Sequence, residues 1–593
     1  MDGDEKAAIE RPAGTAPPAP QFGSDAIAQT LRALQIPYIT LNPGASFRGL
    51  HDSLVNFLGN RDPQMLLCLH EEHAVAIAHG YAKVTGCPLA VAVHSNVGLF
   101  HATMAIFNAW CDRMPVVILG ATGPVDAAKR RPWIDWIHTA RDQGAIVRPY
   151  VKWDDQPASP IAAREALLRA AWHARTAPQG PVYVNLDAEL QEAPLAEPLP
   201  PIDTARYLPA TAHAPAPDAI RRAAALLHAA ARPVVLMGRT TRSTAAWEAR
   251  VTLAETLGAR VVTDLKVGAA FPTDHPLHAD APALLLPADA ARTIAAADVV
   301  LSLDWVDLAG TLRTACGGEP TGKVIHVSLD HQLHGGWSMD YQGLPTVDVM
   351  IAADVAATVD ALLAELGPEK RGVPPPASAP AMPTPTPHGP LATDDIAAEL
   401  QRALAGRAVT LAHLPLSWNG ASWPLRHPLD FLGSDGGGGI GAGPGIGVGA
   451  ALALRGSDRL VVAVCGDGDF LMGATALWTA VHYRLPLLVV VANNRSFYND
   501  EVHQERMARL RGRPVENKWI GQRIDDPAID LAGLARAQGA AAWGPIDDRA
   551  TLAEVLRAAV AAVQDGAVAV VDVRTVPGYT PALAAALSPG AQR

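Results

Sequence analysis

Residues 461–500 read VVAVCGDGDFLMGATALWTAVHYRLPLLVVVANNRSFYND. They put Asp467 between two glycines at the end of one apolar run and Asn493-Asn494 at the end of the next. A carboxylate and an amide oxygen at the tips of two parallel strands can share a hard cation. Mg2+ takes oxygen ligands, keeps some waters and is commonly completed by phosphate oxygens. Gly466 and Gly468 let the backbone turn and approach a phosphate closely. Upstream, SDGGGGIGAGPGIGVGAALAL (434–454) runs a glycine-rich loop into a helical pattern, and glycine amides at a helix N-terminus suit an anion. The constellation reads as a Mg2+-diphosphate cradle, with Gly466, Asp467, Gly468, Asp469 and Asn494 as its candidate parts.

Other readings compete. Gly445-Ile446-Gly447-Val448-Gly449-Ala450 fits the dinucleotide pattern G-x-G-x-x-A, and Asp467 follows at a ribose-binding distance. That fingerprint needs a strand just before its first glycine, and LDFLGSDGGGG is not one, so an NAD oxidoreductase is the weaker reading. GGEPTGK (317–323) nearly spells a P-loop, but Val324 stands where a hydroxyl would hold Mg2+. It reads as a turn. GDG or NN alone would be turn chemistry.

The positioning elements are short Val/Ile/Leu runs alternating with helices: MLLCL, LAVAV, PVVILG and GPVYVNL, then RPVVLMG, RVVTD, DVVLSLD and KVIHVSLD, then RLVVAVCGDG, PLLVVVANN and VAVVDVRTV. Such runs imply parallel sheets covered on both faces. Pro-rich stretches separate the blocks. The expected class is α/β, with three doubly wound parallel-sheet domains at 21–192, 215–366 and 391–580. A disordered lead-in (1–20) and a Pro-rich linker (367–390) complete the division. Ligands on such sheets sit at the carboxyl ends of the strands.

Composition narrows the class. The chain has 593 residues, 49 % of them hydrophobic and 18 % charged, which is globular. A net charge of -11 without a Lys/Arg block argues against nucleic acid. No run reaches the roughly 18 apolar residues of a membrane span. Five scattered cysteines read as buried free thiols in a reducing, cytoplasmic setting.

GDG, 24 residues, then NN resembles the cofactor motif of the thiamin diphosphate-dependent superfamily of pyruvate decarboxylase, acetolactate synthase and benzoylformate decarboxylase. ALWTAVHYRLP inside the motif is similar to benzoylformate decarboxylase. The resemblance covers about residues 21–580. It implies thiamin diphosphate and Mg2+, with metal ligands Asp467, Asn494 and the backbone carbonyl of Ser496. It also implies the domain order pyrimidine-binding, central, diphosphate-binding. LLCLHEEHAVAIAHGYAKVTG supplies the second half of the motif: Glu71 aligns with the glutamate that hydrogen-bonds the aminopyrimidine, with Glu72 its neighbour, and GYA follows. Ile440 aligns with the apolar wedge beneath the bent cofactor. NPGAS (42–46) matches the loop facing substrate, where Ser46 stands one place beyond the benzoylformate decarboxylase serine. His94 falls on an active-site histidine, and His101 near an asparagine that faces the cofactor. His70 and His73 lack the i,i+4 spacing of a zinc helix. Trp133, Trp136 and His138 lie in a segment that lines the pocket in relatives. Asp500 falls where pyruvate decarboxylases have an acid, with Glu501 beside it.

The implied activity is decarboxylation or carboligation of a 2-oxo acid through a C2-carbanion/enamine, in a homodimer or homotetramer with sites between subunits. Alternatives are an acetolactate synthase-type transferase, which would take a second aldehyde or oxo acid as acceptor, and a non-catalytic subunit. FAD in the central domain is unlikely on the residues present, since PVVLMGRTTRS shows no flavin signature.

Overall fold

The computed structural model describes residues 10–14, 19–197, 199–207, 213–333, 343–371 and 389–579. Most of the expected lead-in, and residues 372–388 of the expected linker, lie outside the described residues.

Three parallel sheets form, as the apolar runs require. The first has six strands: β1 (Tyr38–Leu41), β2 (Gln64–Leu67), β3 (Ala90–Ala92), β4 (Val117–Thr122), β5 (Asp154–Asp155) and β6 (Val182–Asp187). Their order is β2-β1-β3-β4-β6-β5. The second contains β7 (Pro233–Met237), β8 (Arg260–Val262), β9 (Val299–Leu303), β10 (Lys323–Val327) and β11 (Val349–Ile351), ordered β11-β10-β9-β7-β8. The third contains β12 (Val409–His413), β13 (Leu460–Gly466), β14 (Leu487–Asn493), β15 (Ala541–Ile546) and β16 (Val568–Arg574), ordered β12-β13-β14-β16-β15. All seven residues of β14 are buried, which is why it reads as a continuous apolar run. GGEPTGK is the turn before β10.

The first and third domains share one core. A single apolar cluster runs from Leu66, Val75 and Ile77 to Val448, Val461 and Val489. Its centre is the crossing of helix Glu71–Thr85 on helix Gly443–Ala453. A methyl group on Gly80 would lie 2.2 Å from the Ile446 carbonyl oxygen, and one on Gly449 would lie 2.0 Å from that of Ile77. Gly445 faces Ala76 in the same way, at 2.7 Å. The alternating glycines of GPGIGVG therefore let two backbones touch, and the dinucleotide-like spacing is a packing pattern. Polar bonds lock the same boundary. His73 Nε2 meets Thr475 Oγ1 at 2.7 Å, and buried Lys83 donates to the Leu432 and Ser434 carbonyls and pairs with Asp112 at 2.5 Å.

The cysteine expectation needs correcting. Cys68 and Cys465 are buried, Cys111 and Cys316 are half-buried, and Cys87 is exposed in the turn after Gly86. Among the described residues no helix is long and apolar enough to cross a membrane.

Gly449→Ala should cost about 3 kcal/mol, because overpacking here meets backbone that cannot swing aside. Gly318→Ala, with nothing near its added methyl, should fall within about 0.5 kcal/mol of the parent. Denaturant midpoints compare the two, and equal midpoints would mean the helix crossing is loose.

Candidate active site

Strands β2, β1 and β3 are neighbours, so the loops at their carboxyl ends converge. Asn42 Nδ2 ties the loop after β1 to the Cys68 carbonyl after β2, at 3.0 Å. Gly44 has no side chain where His94 lies: an added methyl would sit 2.4 Å from His94 Cβ. This close approach lets Ser46 Oγ reach His94 Nδ1 at 2.8 Å. Ser46 Oγ also accepts from the Ser95 N–H at 3.1 Å and has a hydrogen to give, and His94 Nδ1 is the acceptor it meets among the described residues. With the hydroxyl donating, the imidazole hydrogen stands on Nε2. His94 is pushed below its ordinary pKa, first by burial, then by the nearby His138 ring, against the opposing charge of Glu71.

Glu71 opens its helix and is buried. Its partners lie in its own domain: His101 Nδ1 stands 3.3 Å from Oε2, and Gly98 leaves room for the carboxyl. His101 stacks flat on His70, with centroids 4.9 Å apart. His70 caps the helix by accepting from Glu72 N–H, and His73 is turned towards Thr475, so the two do not form a metal pair with each other. Glu72 is pushed up by burial and by the charge of Asp469.

In the third domain Asp467 follows β13 and Asn494 follows the adjacent β14. Asp467 Oδ1 accepts from Gly468 N–H at 2.9 Å, while Oδ2 is buried without a hydrogen-bond partner among the described residues. Burial pushes the carboxyl up to about 6, opposed by the amides of Gly468, Arg495 and Ser496. Asn493 is committed to Asp572 on β16, at 2.9 Å. Asn494 Oδ1 accepts from Ser496 N–H at 2.9 Å across a turn in which Arg495 is left-handed. Ser496 Oγ donates to buried Glu501 at 2.6 Å, leaving its carbonyl as its remaining oxygen. Asp500 is exposed. An added methyl on Gly466 meets nothing, so that face of the backbone is open; Gly468 is instead packed against Phe497. A buried carboxylate oxygen lacking a partner, an amide oxygen and an open backbone face fit a Mg2+-diphosphate group.

The glycine-rich loop departs from expectation. Its amides already hold an anion belonging to the chain: Asp469 Oδ1 accepts from Gly441 N–H at 2.7 Å and from Gly443 N–H at 3.3 Å. His413 Nε2 stands 3.2 Å from Asp469 Oδ2, and both groups are buried. Burial alone would lower His413 and raise Asp469, but each partner's charge reverses the direction, so each favours the charged form of the other. With Cys465 their ligand atoms lie within 4.8 Å of one another. Asp435, half-buried, is pushed up to about 6, chiefly by desolvation. The side chain of Asp469 therefore fixes the turn that presents Ile440, which is 39 % exposed. Asn108 brackets the same loop, accepting from Gly437 N–H and donating to the Gly439 carbonyl.

Comparison with known proteins agrees with this arrangement. Residues 22–146, 220–362 and 416–573 match the N-terminal TPP binding domain, the central domain and the C-terminal TPP binding domain of thiamine pyrophosphate enzymes. The chain belongs to the thiamin diphosphate-dependent enzymes. It is 27 % identical to a benzoylformate decarboxylase of Pseudomonas aeruginosa, over 74 % of this chain and 80 % of that protein. It is 29 % identical to a probable 2-ketoarginine decarboxylase of the same organism, over 81 % and 82 %. An acetolactate synthase large subunit of Corynebacterium glutamicum is 29 % identical over 53 % of this chain and 49 % of that protein. The benzoylformate decarboxylase structure from Polynucleobacter necessarius shares the fold, with a TM-score of 0.78, 22 % identity and coverage of 95 % and 100 %.

His413 and Asn108 were not legible as site residues. His413 ends a Thr-containing strand with no motif around it, and Asn108 lies within an apolar helix. In this enzyme His413→Leu should leave the Asp469 charge buried and unpaired, at a cost of about 3–5 kcal/mol. Thermal unfolding checks it; an unchanged midpoint would mean that the pair is not ionic.

Proposed function

We propose that the enzyme uses thiamin diphosphate and Mg2+ to cleave a 2-oxo acid between its carboxylate and carbonyl carbons, as a decarboxylase or carboligase. The observation that most supports this is the buried, unpartnered Asp467 Oδ2 beside the Asn494-Ser496 turn, one domain away from Glu71, Ser46 and His94. When bound, the cofactor supplies the electron sink for the pair left behind as CO2 departs.

The chain's own groups do the rest. Asp467 Oδ2, Asn494 Oδ1 and the Ser496 carbonyl hold the cation. The open face of Gly466 admits the diphosphate. Glu71 holds a proton at the aminopyrimidine ring nitrogen from a buried position that excludes water. Ile440 supports the bent cofactor. His94 offers its Nε2–H as a hydrogen bond to the oxygen of the reacting carbonyl, and Ser46 holds its tautomer. His101, beside Glu71, faces the same space. A transferase of the acetolactate synthase type would use the same residues and differ in taking a carbonyl compound, in place of a proton, as acceptor.

Two copies would complete the site. Phe100, Met472 and Ile440 are exposed apolar side chains, at 57 %, 54 % and 39 %, and Met472 stands beside Gly441. A fully active monomer in sedimentation would remove this part of the reading.

Glu71→Gln should keep cofactor affinity and lose at least a hundredfold in kcat, the scale of general acid-base catalysis; full turnover would take Glu71 out of its role. Asp467→Ala should abolish Mg2+-dependent cofactor binding in calorimetry, and unchanged affinity would sink the cradle.

Below about pH 6, Mg2+ must displace the Asp467 proton. Affinity should therefore be flat above about pH 7 and fall roughly tenfold per unit below pH 6. A pH-independent affinity would mean that the cation does not use this carboxylate. Proton NMR of the loaded enzyme with aliphatic and aromatic 2-oxo acids then separates aldehyde from acyloin products.

A further inference from the structure

A second imidazole faces His94. The His138 ring lies against the His94 ring, with centroids 4.6 Å apart and planes tilted by 54°. It comes from the strap 130–138, which follows β4 in the same domain.

The strap is seated by specific contacts. Asp135 is buried and accepts from Arg131 N–H at 2.6 Å and from its guanidinium at 2.9 Å. Gly123, just past β4, lacks the side chain that would strike Thr139 Oγ1 at 2.6 Å and Asp135 Cβ at 3.1 Å. Thr139 and Asp135 flank His138, so the same contacts set the ring.

We infer that His138 is a positioning residue that acts through His94, holding that imidazole neutral and pressed towards Ser46 so that its Nε2–H donates into the site. The inference rests on the reading of His94 as the substrate-facing hydrogen-bond donor. Two imidazoles this close do not readily carry charge together, because each proton raises the cost of the next. Ser46 holds His94 at Nδ1 from one side and His138 covers it from another. The ionisable groups facing His94 are His138 and Glu71, which act in opposite directions. No hydrogen bond joins the two rings among the described residues, so the coupling is electrostatic and steric. Because the second imidazole comes from a strap with no hydrogen bond to Asp467, Asn494 or Ser496 among the described residues, it also offers a place where substrate preference can be tuned without touching the cofactor cradle.

The test is a titration of the full-length protein carrying 15N-labelled histidine, without cofactor or substrate, with the His94 signal assigned by its loss in His94→Gln. In His138→Gln, which keeps a polar side chain and removes the second charge, His94 should titrate roughly half a unit higher. If the substitution unseats the strap, seen as displaced Trp133 and Trp136 indole signals, His138→Phe replaces it. A His94 titration that does not rise overturns the inference, since a merely structural ring would leave it in place.

In turnover of a 2-oxo acid, neutral His94 gives an acidic limb in kcat/KM. That limb should move up by the same half unit, about a threefold loss on its slope, with the KM for cofactor unchanged. A moved titration with an unmoved limb also overturns it. Absence of any 2-oxo acid turnover by the parent protein would instead strike the proposed function, while the titration still decides the coupling of the two rings.

Discussion

The contact between helix Glu71–Thr85 and helix Gly443–Ala453 is the constraint on which the rest of the site depends. Glycines at 80, 445 and 449 bring these backbones within van der Waals distance. Each helix starts at chemistry. Glu71 is the first residue of one, and the turn carrying Ile440 leads into the other. Setting the crossing therefore sets where a carboxyl group of the first domain stands relative to the glycine-rich turn of the third. A helix pair separated by ordinary side chains would lie roughly 8–10 Å apart and could slide. One without intervening side chains has far fewer registers. The shared apolar cluster makes the two domains one mechanical body at this point, while the second sheet keeps its own cores.

Buried charge is the second theme, and two sites solve it differently. Asp469 is neutralised within the chain by His413 and by two amides, so its charge is satisfied before any ligand arrives. Asp467 is left with one oxygen unpartnered and its carboxyl pushed up to about 6 by burial. The first holds a loop in shape. The second remains costly to ionise until a cation pairs with it. Two aspartates two residues apart thus divide positioning from the proposed ligation, because a helical turn points them to opposite sides. Elsewhere, the crevice of about 990 Å3 between the first and central domains is lined by Arg113, Arg239, Asp304 and Asp330. Asp330 takes Arg113 at 2.5 Å and Arg239 at 3.4 Å, so those cations are matched by acids of the chain itself.

Long buried runs were legible because parallel strands covered on both faces have no polar alternation to hide. β13, β14 and β16 fall where RLVVAV, PLLVVV and VAVVDV stand. Short or interrupted strands were not: β5 has two residues, and β15 contains Gly544-Pro545. At the site, Glu71, Asp467 and Asn494 were legible because a motif fixes each by spacing. The glycine-rich stretch was legible as a special segment, but its partner was not. Glycine that admits a phosphate and glycine that admits another helix have the same composition. The Ser46–His94 bond spans 48 positions and depends on Gly44 having no side chain, a fact of tertiary packing. The same holds for His413, whose partner belongs to a different motif.

These two kinds of legibility map onto two kinds of function. Groups arranged to hold a diphosphate and a cation answer to a ligand that does not vary, so their types and spacing are tightly set by coordination chemistry. Groups proposed to meet the substrate come from the loop after β1, the loop after β3 and the 130–138 strap, which meet only in three dimensions. Ser46, His94 and His138 can each change without altering the cradle, because no hydrogen bond links them to Asp467, Asn494 or Ser496 among the described residues. A ring held from two sides, by Ser46 and His138, has little freedom to withdraw from the space it faces.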